Sequence, residues 1–183
     1  MFWIEVVAGW SAHSSALLAD AADFLGDAAN YGVSLFALTL AAVWRSRTAL
    51  AKGLTMGVFA IFVLGQAVWH LLQATVPDAH VMGGTSVLAL LINGSVAMML
   101  YAHRTGDANM RSVWLCSRND AIGNVAVMLA AVGVIGSGAG WPDALVALGM
   151  ATLGLSSAIS ITRQARVELR STHTRAPAAA MHL

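Results

Sequence analysis

Long stretches free of Asp, Glu, Lys and Arg alternate with short polar breaks along this chain, at positions 28–44, 53–77, 79–103, 121–142 and 144–162. Most approach the roughly 20 residues that a helix needs to cross a hydrocarbon layer of about 30 Å. They predict five membrane helices. A sixth is suggested by "MFWIEVVAGW" at the start, which offers only about ten residues, or about 15 Å of helix, before the Ser/His break "SAHSS". No basic n-region or small-residue cleavage site precedes it, so it is not read as a removable signal peptide.

Composition agrees with the pattern. The 183 residues are 58% hydrophobic and only 10% charged, too little polar surface to cover a water-soluble globule of this size. The fold class expected is all-α: a polytopic membrane protein of six transmembrane helices, the first one short. One cysteine excludes an internal disulfide framework.

Charge gives the orientation. With the N-terminus in the cytoplasm, the inner connections carry Arg45, Arg47 and Lys52, then Arg104 and Arg111, then Arg163, Arg166, Arg170 and Arg175. The opposite connections, "SAHSS", "PDAHVMGG" and "GSGAGW", contain neither Lys nor Arg. This positive-inside bias supports six crossings with both termini cytoplasmic. The net charge of +1 conceals that polarity and carries no nucleic-acid signal. Residues 1–169 are read as one membrane domain and 170–183 as a flexible cytoplasmic tail, since "RSTHTRAPAAAMHL" has neither helical nor strand periodicity. Gly53 and Gly57 stand at a spacing that lets helix backbones approach closely, and offer a weak candidate for self-association.

The chemistry lies in "ALLADAADFLGDAANYG". A carboxylate at bilayer depth costs several kcal/mol unless it meets a cavity, a partner or an ion, so intramembrane acids point to function. Asp23 and Asp27 are four apart on one helical face, and Asp20 lies three before Asp23 on nearly the same stripe. In "WLCSRNDAIGN", Cys116 and Asp120 are again four apart. Carboxylate and thiolate both bind divalent cations, and two helices offering two ligands each would make the four-ligand tetrahedral site that zinc prefers. Bland readings stand beside these. Asp20 is read equally as a helix-end cap, and Cys116 equally as a small buried hydrophobe. An ion pair with Arg118 is disfavoured, because Arg118 is about 200° around the helix from both Cys116 and Asp120. The histidines lie at helix ends or in loops and are read chiefly as interfacial, with delivery or release of metal outside by His13 or His80 the lesser reading. No nucleophile, nucleotide loop or redox motif accompanies the acids, so the chain is not expected to be an enzyme.

These residues resemble the cation diffusion facilitators, which exchange divalent metal ions for protons. "EVVAGWSAHSSALLADAADFLGD" is similar to that family's passage from first to second helix, with Glu5, Gly9 and paired metal ligands at Asp23 and Asp27. "NMRSVWLCSRNDAIGNVAVMLAA" resembles its fifth helix, where a His or Asp stands four before an Asp; here those positions are Cys116 and Asp120. "LLINGSVAMML" with Asn93 and "WPDALVALGMA" with Asp143 resemble parts of the fourth and sixth helices. The likeness covers about residues 1–168. It departs from the pattern at Cys116, in the short first helix, and in lacking the family's cytoplasmic C-terminal domain.

The resemblance implies a transporter that exports Zn2+, with Cd2+ or Co2+ next, from the cytoplasm in exchange for protons. Asp23, Asp27, Cys116 and Asp120 would hold the ion, with Asp20, Asn30 and Asn124 along its route. No cofactor is expected beyond the transported metal. The expected partners are the lipid bilayer, divalent metal ions, protons and a second copy of the chain held through membrane helices, and the expected location is a bacterial inner membrane. The alternative is a non-transporting membrane subunit or scaffold retaining a vestigial metal site.

Overall fold

A computed structural model describes the backbone of residues 1–37, 42–103 and 108–179, and within these the side chains of all but 29–31, 33–37, 42–45, 103, 108–113, 115–116 and 171–179. The first helix, α1 (Phe2–Ser11), ends where His13 takes a left-handed backbone, φ 55°, that residues with a side chain seldom adopt. Ser14 then caps the next helix, its Oγ accepting from Leu17 N at 3.1 Å. Five further helices follow: α2 (Ser15–Ala37), α3 (Ala42–Leu72), α4 (Ala79–Leu100), α5 (Ala108–Ser137) and α6 (Trp141–Ala179), with a short 3-10 turn at Tyr101–His103. No strand occurs among the described residues. The fold is the expected all-α bundle, short first helix included.

Four helical segments among the described residues are long and apolar enough to cross a membrane: Ser46–Leu72, Ala79–Leu100, Ser117–Ser137 and Trp141–Arg170. Their large exposed side chains, among them Val58, Ile61, Leu91, Leu129 and Leu153, present the outside that lipid requires. Helix α2, at 23 residues, is also long enough, roughly 34 Å, but it carries the three aspartates.

The three turns expected outside come together at one end. Asp78 N donates to Ala12 O at 2.9 Å, and Gly140 packs directly on the Thr75 carbonyl. Beneath this end lies the apolar core, where Ala16, Leu17, Val63, Met82, Val127 and Ala147 are fully buried. At the opposite end Ser46 Oγ donates to Glu168 Oε2 at 2.8 Å, tying α3 to α6.

Local boundaries differ from the sequence reading in three places. Helix α2 starts at Ser15, well ahead of the charge-free run at 28–44, so Asp20 and Asp23 lie in its first half and Asp27 at its middle. Arg45, Arg47 and Lys52 lie within α3 and Arg111 within α5, not in connections, while Arg104 lies outside the described residues. Helix α6 continues to Ala179, so the segment expected to be an irregular tail is helical in backbone that far. Gly53 and Gly57 serve contact within the chain, not the self-association surface their spacing suggests: they face Ala158 and Thr162 of α6.

Candidate metal centre

Asp23 and Asp27 project from α2 and Asp120 from α5 onto the wall of one cavity of about 790 Å³. Lys52 and Met56 of α3 and Met150 of α6 complete the part of the wall that surrounds them. The Asp120 carboxyl lies against that of Asp27, with Asp23 next, and Asp23 itself stands between Asp20 and Asp27. The i, i+4 spacing therefore does what it predicts, aligning the two α2 acids on one face, and α5 brings the third acid across from them.

The cavity is asymmetric along the bundle. Lys52, Ser157 and Ile161 line it toward the end that carries Arg47, Arg163 and Arg166. A second, separate void of only about 10 Å³ lies on the other side of Asp23, between Ala19, Val63 and Ala151, where the apolar core begins.

Among the described residues, no group of three or more His, Cys, Asp or Glu side chains is close enough together to hold a metal ion. Cys116 and Asn30 lie on α5 and α2, but their side chains are outside the described residues. Arg118 is exposed and sits over the Trp114 ring at 5.2 Å, turned away from Asp120 as the helical geometry predicts.

Asp20 and Asn124, expected along the ion route, are instead buried in a polar chain just behind it. Asn93 Nδ2 donates to Asn124 Oδ1 at 3.0 Å, and Asn124 Nδ2 donates to Asp20 Oδ2 at 2.6 Å. This links α4, α5 and α2 one turn from the cavity acids. It also replaces the reading of Asp20 as a helix-end cap. Gly123, which lines the cavity, packs beside it: an added Cβ there would stand 3.8 Å from Asp20 Oδ1.

A second cap of α2, beside Ser14, comes from another helix. Asp143, at the start of α6, accepts from Ser14 Oγ at 2.6 Å, Ser15 N at 2.8 Å and Ala16 N at 3.1 Å. A carboxylate at the positive end of the helix dipole satisfies donors that α2 cannot satisfy itself. His70 Nδ1 bonds Ser15 Oγ at 3.1 Å, and the His13 ring meets that of His70 edge-on at 6.2 Å. His80 is exposed beside Asp78, which caps α4 by accepting from His80 N and Val81 N. The sequence reading did not find Lys52 on the cavity wall, and it singled out Asn93 and Asp143 by family resemblance without finding their roles.

Comparison with known proteins decides what this arrangement belongs to. The family model described as the cation efflux transmembrane domain matches residues 1–169. The chain belongs to the cation efflux family. It is an integral membrane protein of the cation diffusion facilitator type, as the second-helix block indicates. It is 28% identical over 174 residues to the cadmium, cobalt and zinc/H(+)-K(+) antiporter of Bacillus subtilis, covering 87% of this chain and 56% of that protein. It is 28% identical over 156 residues to the metal cation efflux system protein CzcD of Cupriavidus metallidurans, covering 79% and 49%. Metal tolerance protein A2 of Arabidopsis thaliana is 33% identical over 115 residues, covering 53% and 28%. The chain thus spans about half the length of the two bacterial relatives.

Proposed function

We propose that this chain moves divalent cations, Zn2+ first and Cd2+ or Co2+ next, out of the cytoplasm in exchange for protons. The observation that carries the reading is the cavity: three acids from two helices on the wall of one void in an apolar bundle, with Lys52, Ser157 and Ile161 lining it toward the basic end. By the positive-inside rule the basic end is cytoplasmic, so this is an arrangement that loads from inside. The Bacillus relative is named as a cadmium, cobalt and zinc antiporter with H(+) and K(+), and the Cupriavidus relative as a metal cation efflux protein, which supports this reading of metals and direction. A scaffold that kept the acids only for packing would have no use for a void beside them.

Asp23, Asp27, Asp120 and Cys116 are the proposed ligands. They bind a cation only when deprotonated, so metal and protons compete for the same atoms. Inward loading displaces protons, outward protonation displaces the metal, and a proton gradient drives export if the cavity opens alternately to the two sides. Lys52, a cation already on the cavity wall, lies where it lowers the repulsion among the acids before metal arrives. The site moves an ion and makes no covalent bond, so the protein acts as a transporter and not as an enzyme. A bacterial inner membrane is the proposed location, and a second copy docked through membrane helices the proposed partner.

Calorimetry of zinc binding to the detergent-purified protein tests this. Saturable binding in the parent that is lost in folded Asp27→Ala and Asp120→Ala is the expected result. Undiminished binding in both variants would overturn the assignment.

A further inference from the structure

A buried carboxyl outside the cavity remains without a role. Glu5 of α1 is fully buried, and neither of its carboxyl oxygens meets a hydrogen-bond partner. The group it interacts with most is the Asp20 carboxyl of α2. The other charged groups that reach it are the Met1 α-amino group on its own helix and, more weakly, Asp120 of α5. Helix α4, which also packs on α1, brings no titratable side chain to the pair among the described residues.

Two ionised carboxylates have only acceptors to offer each other, so they bond only when one carries a proton. Both ionised in contact, and withdrawn from water, is a strongly unfavourable state. Asp20 takes a hydrogen bond from Asn124 at 2.6 Å, which suits an ionised carboxylate, whereas Glu5 takes none, which suits the protonated member.

We propose that Glu5 and Asp20 form a proton-binding pair, separate from the cation ligands, that holds one proton between its carboxyls and releases it when a divalent cation occupies the cavity. The release half of this rests on the cavity acids being the cation site. Asp20 lies three residues before Asp23 on the same helix, about 4.5 Å along its axis, so a divalent charge at Asp23 and Asp27 directly lowers the cost of a second negative charge on the pair. Metal entry thus expels a proton from a place that the metal never touches. This adds to the protons displaced from the ligands, and it makes α1 part of the coupling machinery despite its short length. Asn124 and Asn93 anchor the pair to α5 and α4, so its geometry follows the separation of α2 and α5.

Two measurements on the purified full chain test the proposal. In the metal-free parent, the infrared carbonyl stretch of a protonated carboxylic acid should include a component absent from Glu5→Gln. Zinc titrated calorimetrically in buffers of different ionisation enthalpy should release about one proton fewer per ion in Glu5→Gln than in the parent, with zinc affinity changed by less than about threefold. If Glu5→Gln does not fold, Asp20→Asn breaks the pair while leaving Glu5 buried and protonated, so the carbonyl band should shift rather than vanish and proton release per zinc should again fall by about one. An unchanged carbonyl band together with an unchanged proton count in either folded variant would overturn the pair. A parent that keeps the Glu5-dependent band but binds no zinc would contradict the cavity reading and the release step while retaining the pair.

Discussion

Asn124 on α5 donates to Asp20 on α2 at 2.6 Å, deep in the bundle and one turn from the acids of the cavity. This bond and the one that Asn124 receives from Asn93 bind three helices at the level where the proposed ion site must open and close. Asn124→Leu removes both amide bonds and leaves Asp20 without its donor. The expected loss of stability is about 3 kcal/mol, typical of a buried hydrogen bond to a charged group, read as a lowered unfolding temperature in detergent. Unfolding identical to the parent would remove the network from the account.

The trans cap on α2 makes a local prediction. Asp143→Ala deprives Ser14 Oγ, Ser15 N and Ala16 N of their acceptor at once. The amides of Ser15 and Ala16 should then exchange with deuterium on the order of a hundredfold faster, corresponding to about 3 kcal/mol of lost protection, while those of α4 stay as they were. Unaltered exchange at both amides would show that the cap contributes nothing.

Packing of α3 on α6 separates two glycines of equal sequence appearance. A Cβ on Gly53 would stand 2.6 Å from Thr162 Oγ1 and 3.2 Å from the Ala158 carbonyl, whereas one on Gly57 would meet Ala158 Cβ at an ordinary 3.6 Å. Gly53→Ala should therefore cost about 1–3 kcal/mol and Gly57→Ala should be close to neutral. Equal unfolding temperatures for the two variants would contradict the packing.

Much of this was legible in the chain and some was not. Six helices follow from charge-free runs and the basic bias, and the stripe of Asp23 and Asp27 and the outward turn of Arg118 follow from 3.6 residues per turn. Helix α2 was legible as acid-bearing, but not its start at Ser15, because the charge-free run begins only after Asp27 and the capping carboxylate, Asp143, lies more than 120 residues away. The pairings of Asn124 with Asp20, and of Glu5 with Asp20, are likewise contacts between helices distant in sequence. Periodicity reports which face a residue occupies and not which helix will stand opposite. The basic residues within α3 and α5 were assigned to connections because a charge count cannot distinguish a loop from the first turns of a helix.

Cys116 sets the expected metal preference. As a ligand, its thiolate favours cadmium and zinc over manganese, because soft sulfur binds soft and borderline ions better than hard ones. Cys116→Asp should shift preference toward manganese, and Cys116→Ser should weaken zinc binding without that shift. Alkylation of Cys116 should be slowed by saturating cadmium and restored by a chelator. An alkylation rate indifferent to cadmium would remove the sulfur from the site.

The competition between cation and protons has a defined sign. Ligands bind metal only when deprotonated, so apparent zinc affinity should fall as pH is lowered, and zinc binding should release protons at every pH where the acids are partly protonated. Affinity independent of pH would be incompatible with a shared site.

Transport across a sealed membrane addresses the central claim most directly. The full chain is reconstituted in liposomes with a zinc indicator and a pH indicator inside, and zinc is added outside with and without an imposed pH gradient. The account predicts zinc entry accompanied by proton exit, acceleration when the interior is more acidic, and neither flux in Asp27→Ala or Asp120→Ala. Zinc entry in the parent with no proton movement, or undiminished flux in either variant, would contradict it.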